Sequence, residues 1–116
     1  MTAKNRAAKI AALNDALRRE PGTGEHGRIV MTRGVSELGI PFTLQALAKL
    51  KAFDTFTNDN DPYGEHDFGS FELERQKLFW KIDYYENASD YMAGAETPEE
   101  GSTTDRLLTI MLAEEY

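Results

Sequence analysis

Residues 53–85, FDTFTNDNDPYGEHDFGSFELERQKLFWKIDYY, decide how this chain folds. At their end, KLFWKIDYY (77–85) alternates strictly. Leu78, Trp80, Ile82 and Tyr84 point one way and Phe79, Lys81, Asp83 and Tyr85 the other, the period of a strand with one buried face. Phe79 and Tyr85 on the second face predict that a helix or loop covers part of it. Asp67 to Leu73 reads as a partner strand. The polar Glu74-Arg75-Gln76 between them has hairpin length but lacks the Asn-Gly pair that would set the turn geometry.

Working outward, RLLTIMLA (106–113) suits either a helix or a compact buried strand. Read as a strand, it gives the Trp80 strand an antiparallel neighbour. Residues 86–104, ENASDYMAGAETPEEGSTT, are small, polar and acidic and read as a surface excursion with one helical turn near Ser89 to Met92. Upstream, Thr43 opens a helix to about Phe53 with Leu44, Leu47, Ala48 and Leu50 on its apolar side. Gly34 to Pro41 is a connector. Arg28-Ile29-Val30-Met31-Thr32 reads as a central or near-central strand. The glycine-rich turn before it holds His26, with no partner nearby in sequence. Thr2 to Glu20 is an alanine-rich helix capped by Thr2 and stopped at Pro21-Gly22. Its narrow stripe of Ala3, Ala7, Ile10, Leu13 and Leu17, with Arg18 and Arg19 largely off it, lies across the sheet or sits loosely attached to it. The expected fold is a single α+β domain spanning 1–116, an antiparallel sheet of about four strands with two main helices packed on it.

At 116 residues and 41% hydrophobic content the chain can bury a core without staples. It has no cysteine, which removes disulfides and sulfur-ligated metals. Neither a signal-peptide core nor a membrane-length apolar run occurs, so a soluble, cytoplasmic protein is expected. The net charge is −7 and uneven: residues 1–33 carry seven Lys/Arg and three Asp/Glu, residues 34–116 six and seventeen. Such an acidic chain is a poor ligand for a phosphate backbone, so direct nucleic-acid binding is not expected, while a partner with a basic surface would suit it.

Chemistry is densest in Asp54, Asn58, Asp59, Asn60, Asp61, Glu65, His66 and Asp67. Asn and Asp beside Pro62-Tyr63-Gly64 favour turns. The same oxygens could bind a hard cation or a polar ligand, and His66 among carboxylates is the candidate catalytic base. An EF-hand count from Asp59 fails, because Tyr63 stands at position five and Ser70 where the bidentate glutamate belongs. Structural turn, recognition site and metal or catalytic site therefore remain three readings. The binding candidates are Asp59, Asp61, Tyr63, Glu65, His66, Asp67 and Asp83, the last a strand carboxylate between Lys81 and Tyr85. No catalytic or metal residue is assigned beyond His66 as a candidate, no cofactor is expected, and the aromatics read as core.

The strings GRIVMTRGV (27–35), FTNDNDPYGEHDFG (56–69), FWKIDYY (79–85) and LLTIMLAEEY (107–116) resemble the family called domain of unknown function 3768. The resemblance spans nearly the whole chain and implies small proteins of alphaproteobacterial plasmids and mobile elements. It brings no activity, cofactor or catalytic residue. Accessory proteins of such elements often block a host protein's nucleic-acid site. The expected function is thus a non-enzymatic acidic binding protein engaging a basic surface on a protein partner, in the manner of a counter-defence inhibitor that mimics nucleic acid. The alternatives are a small metal-assisted enzyme or ligand binder using the Asp59–Asp67 loop, and a homo-oligomer joined through the first helix or an edge strand.

Overall fold

The computed structural model describes residues 2–20 and 27–116. In chain order it comprises helix α1 (Ala3–Arg19), strand β1 (Gly27–Met31), helices α2 (Arg33–Ser36) and α3 (Ile40–Ala52), and strands β2 (Phe68–Leu73), β3 (Gln76–Glu86) and β4 (Thr104–Leu112). Short 3-10 turns at Gly101–Thr103 and Ala113–Glu115 flank β4. The fold is α+β. The Pro21-Gly22 stop and His26 lie outside the described residues.

The four strands lie in the order β1-β4-β3-β2. The hairpin and the pairing of the last strand beside Trp80 form as expected: β3 is antiparallel to β2 and to β4, with Trp80 opposite Gly69 on one side and Ile110 on the other. The sheet is nevertheless mixed rather than antiparallel throughout, because β1 runs parallel to β4, with Ile29 beside Leu108. β1 is also an edge strand, not a central one. Alternation records which side chains share a face, not which way a strand runs or what borders it.

Leu78, Trp80 and Ile82 meet Leu108, Ile110 and Leu112 on one face, and Leu17, Val35, Phe42, Ala46 and Leu50 of the three helices close over them. Gly69 lies beneath this cluster for a steric reason: a Cβ there would stand 2.5 Å from Trp80 Nε1. Thr2 caps α1, its Oγ1 accepting from the Asn5 amide at 3.1 Å.

α3 departs from the expected boundaries and face. Gly39 at φ 96° and Pro41 in the first turn start it at Ile40, not Thr43. Its buried row is Phe42, Ala46 and Leu50, while Leu44 is 61% and Ile40 75% exposed. The helix is apolar on two sides, and the periodicity alone cannot rank them. The expected connector contains α2, whose Val35 is fully buried. Around Ser89 the chain makes tight turns with positive φ at Ala88, Asp90 and Tyr91 rather than a helical turn.

The opposite sheet face is partly covered, as Phe79 and Tyr85 predict. Tyr116 packs on Phe68 and Phe79, and Tyr91 meets Tyr85 edge-on. Glu115 anchors this C-terminal turn by accepting from Thr32 Oγ1 at 2.6 Å and from the amides of Leu112 and Gly34 at 2.8 and 3.1 Å. A Cβ on Gly34 would strike that carboxylate at 2.7 Å.

The β2–β3 turn has only two residues, since Gln76 already pairs with Leu73, and both Glu74 (φ 50°) and Arg75 (φ 66°) adopt the left-handed conformation. That is the type I′ arrangement, which favours Asn-Gly. Replacing Glu74-Arg75 by Asn-Gly should stabilise the protein by about 1 kcal/mol with the same register; chemical denaturation against the native chain measures it.

Candidate functional site

The polar loop folds by hydrogen-bonding itself. The Thr57 amide donates to Asn60 Oδ1 at 2.9 Å, Asn60 Nδ2 to the Thr55 carbonyl at 3.0 Å, and the Asp61 amide to the Thr57 carbonyl at 2.8 Å. These are the local bonds for which Asn and Asp suit turns. Asp61 is buried, and its Oδ1 accepts from the amides of Glu65 and His66 at 3.0 and 3.1 Å. That double acceptance holds His66 at φ 56°, an uncommon backbone for a residue with a Cβ.

The strained backbone aims the imidazole at α1. His66 Nδ1 donates to Asp15 at 3.0 Å, Nε2 lies 3.7 Å from Asp61 Oδ2, and the ring stacks on Phe56 at 3.9 Å between centroids. Both ring nitrogens thus face carboxylates. Asp15 in turn accepts from Arg18 Nη2 at 2.7 Å. Arg18, expected off the apolar stripe, is buried: its Nη1 donates to the carbonyls of Leu50 and Phe53 at 2.9 Å each, and its guanidinium lies 5.3 Å from the ring centres of Phe56 and Trp80. Among the described residues Arg18 Nε and Trp80 Nε1 are buried without a hydrogen-bond partner.

One helical turn away, Asn14 is fully buried and ties three segments together. Its Nδ2 donates to Tyr84 Oη at 2.8 Å and to the Glu65 carbonyl at 3.0 Å, and its Oδ1 accepts from Arg106 Nε at 2.7 Å. Tyr84 donates to Glu65 Oε1 at 3.0 Å, and Arg106 also donates to the Pro98 carbonyl.

The candidate residues separate. Asp61, Glu65 and His66 converge on α1, where Asn14, Asp15, Arg18, Tyr84 and Arg106 complete the network. Asp59 and Tyr63 face solvent, Tyr63 at 80% exposure. Asp83 lies on the opposite sheet face, 3.1 Å from Lys81 and beside Tyr85 and Thr109. Among the described residues, no group of three or more His, Asp or Glu is placed to hold a metal ion. Asn14, Asp15 and Arg18 were missed because a charge inside a helical pattern reads as solvated; the one available signal was Arg18 following Leu17 directly at the edge of the stripe.

Electrostatics follow the burial. For Asp15, desolvation opposes ionisation, but the hydrogen bonds from Arg18 and His66 hold its carboxyl below the usual range. Asp67 goes the other way: burial first, then the charges of Glu65, Asp61 and Asp83, push its carboxyl up. Burial likewise raises the Tyr84 phenol far above its ordinary value and lowers Arg106. The network can therefore fasten a helix to a sheet through charge-assisted bonds.

Two outcomes follow. Arg18→Ala should cost about 3 kcal/mol in chemical denaturation, because it leaves two carbonyls and Asp15 short of a buried donor, and Arg18→Lys should restore only part, lacking the planar fork. Asp67 has a folded-state pKa above its unfolded value of about 3.9, so its contribution is full below that pH and lost as pH rises through the folded value. Asp67→Asn should accordingly raise the melting temperature at neutral pH, with the gain vanishing below about pH 4.

Comparison with known proteins places these elements. No curated protein and no solved structure matches the chain. One family model matches, over residues 31–115, which takes in α2, α3 and β2 to β4 and leaves α1 and most of β1 outside. Matched over more than half its length, the chain belongs to the family described as protein of unknown function (DUF3768).

Proposed function

We propose that this chain is a non-enzymatic binding protein whose acidic surface engages a basic surface on a protein partner, within a mobile-element setting in which that surface handles nucleic acid. The observation that carries the reading is the segment 86–105. It contains Glu86, Asp90, Glu96, Glu99, Glu100 and Asp105 and no Lys, Arg or His.

This excursion is ordered against the end of the sheet. The Glu86 amide donates to the Ala93 carbonyl at 2.7 Å, the Ala95 amide to Tyr84 at 3.1 Å and the Asn87 amide to Thr103 at 3.1 Å. Glu86, Asp90, Glu96 and Glu100 are exposed. Carboxylates on a backbone already ordered lose less freedom on association than carboxylates on a free loop. Glu99 differs, being held by Arg6 at 3.0 Å. The polar loop is not assigned a ligand in this reading, since the His66 ring is engaged by Asp15, Asp61 and Phe56. No helix among the described residues is long and apolar enough to cross a membrane.

The test is capture from bacterial lysate on immobilised protein. A partner should be retained at low salt and released as ionic strength rises, because opposite charges across an interface are screened. The combined variant Glu86→Gln, Asp90→Asn, Glu96→Gln, Glu100→Gln should lose most of that retention with its melting temperature unchanged. A retained partner indifferent to both salt and the variant contradicts the proposal, as does the absence of any partner at low salt.

A further inference from the structure

We infer that β2 is a dimerisation edge, pairing antiparallel with β2 of a second copy to make one continuous eight-stranded sheet. Among the described residues β2 ends the sheet, with β3 on one side and no strand on the other. The Ile82 amide donates to the Asp67 carbonyl in the register that pairs Gly69 with Trp80, Phe71 with Leu78 and Leu73 with Gln76. An antiparallel ladder bonds every second pair, so the groups turned toward β3 are those of Gly69, Phe71 and Leu73. The backbone N–H and C=O groups of Phe68, Ser70 and Glu72 therefore point outward, and among the described residues no hydrogen bond reaches them.

Edges of this kind are ordinarily blunted by charged side chains, above all lysine, by proline, a bulge or a covering segment. FGSFEL contains neither Lys nor Pro, its single charge is Glu72 near one end, and its pairing with β3 is unbroken. The occupant follows from self-complementarity. With a two-fold axis through Ser70, the outward groups of Phe68, Ser70 and Glu72 fall opposite those of Glu72, Ser70 and Phe68 of the second copy, each pair exchanging two hydrogen bonds. Only the small Ser70 meets itself. Glu72 lies opposite Phe68 and not opposite another carboxylate. On the helix face, Gly69 comes opposite Phe71 of the second copy. Phe71 and Phe53, each only partly buried in one copy, are then carried toward one another across the joint. Such a joint is isologous and closes at two copies, whereas joining β2 to β1 would be heterologous and would propagate.

The experiment is sedimentation equilibrium of the full chain from micromolar to submillimolar concentration. A reversible dimer is expected, tightening with added salt because two copies of net charge −7 repel each other. That salt response is opposite to the one expected for the acidic-surface partner, so the two readings fail separately. Ser70→Pro removes an outward N–H that the β3 ladder does not use, and Ser70→Lys sets two lysines at the axis. Each should weaken the dimer by about tenfold or more while the monomer stays folded. Should Ser70→Pro not fold, Ser70→Lys, whose side chain is exposed on the open face, carries the test. A native chain that stays monomeric throughout overturns the inference, and so does a dimer that survives Ser70→Lys.

Discussion

The guanidinium of Arg18, shut away from water over the rings of Trp80 and Phe56, donates to the carbonyls of Leu50 and Phe53 and to Asp15. The end of a helix leaves carbonyls without intrahelical donors, and burying them unpaired is costly. At the end of α3 Arg18 supplies a donor to the Phe53 carbonyl and a second one to the Leu50 carbonyl, which also accepts from the Phe53 amide at 3.3 Å. It thereby sets the spacing of α1, α3 and the aromatic centre of the sheet in one contact. The charge is tolerated in the interior because it is hydrogen-bonded in the guanidinium plane and stacked above it, the two environments that suit arginine better than lysine.

The polar loop extends the same arrangement. Asp61 spends its buried carboxylate on two backbone amides, which turns His66 toward Asp15, and Asn14, next to Asp15 and a helical turn from Arg18, collects Tyr84, Glu65 and Arg106. A network of this kind is stabilising only when nearly all its members are satisfied. It accounts for why a thin apolar stripe on α1 suffices, since direction and depth come from polar bonds and not from hydrophobic area. The other sheet face relies on different means. There the C-terminal turn, held by Glu115, lays Tyr116 over Phe68 and Phe79 and leaves the middle of the face as an open groove past Lys81, Asp83 and Thr109.

Much of the fold was legible along the chain. The alternation of 77–85 and the turn-forming residues between 54 and 67 are local signals whose meaning does not depend on what lies opposite, whereas the compact apolar run of 106–113 fits helix or strand and reads as a strand only through the neighbour that the Trp80 strand needs. The site was legible only in part. Asp61, Glu65 and His66 could be singled out by density of polar groups, but their partners on α1 could not, because Asn14, Asp15 and Arg18 stand some fifty positions earlier in a helix whose pattern assigns them to solvent. Asp83 was grouped with them by residue type and is separated from them by the thickness of the sheet.

What the sequence by itself determined was the helical class of α1 and α3, the β2–β3 hairpin, the inward and outward sides of β3, the capped start of α1 and the acidic character of 86–105. These rest on period, propensity and charge, which are properties of neighbours along the chain. Tertiary structure alone decided that β1 runs parallel to β4 at the edge, that α3 buries Phe42 and Ala46 rather than Leu44, and that a basic residue of α1 becomes the buried hub. In each case the outcome is set by competition between alternatives that are locally equivalent. Strand direction leaves the alternation unchanged, a helix apolar on two sides can present either, and a charged side chain goes inside only when acceptors from distant segments are already waiting for it.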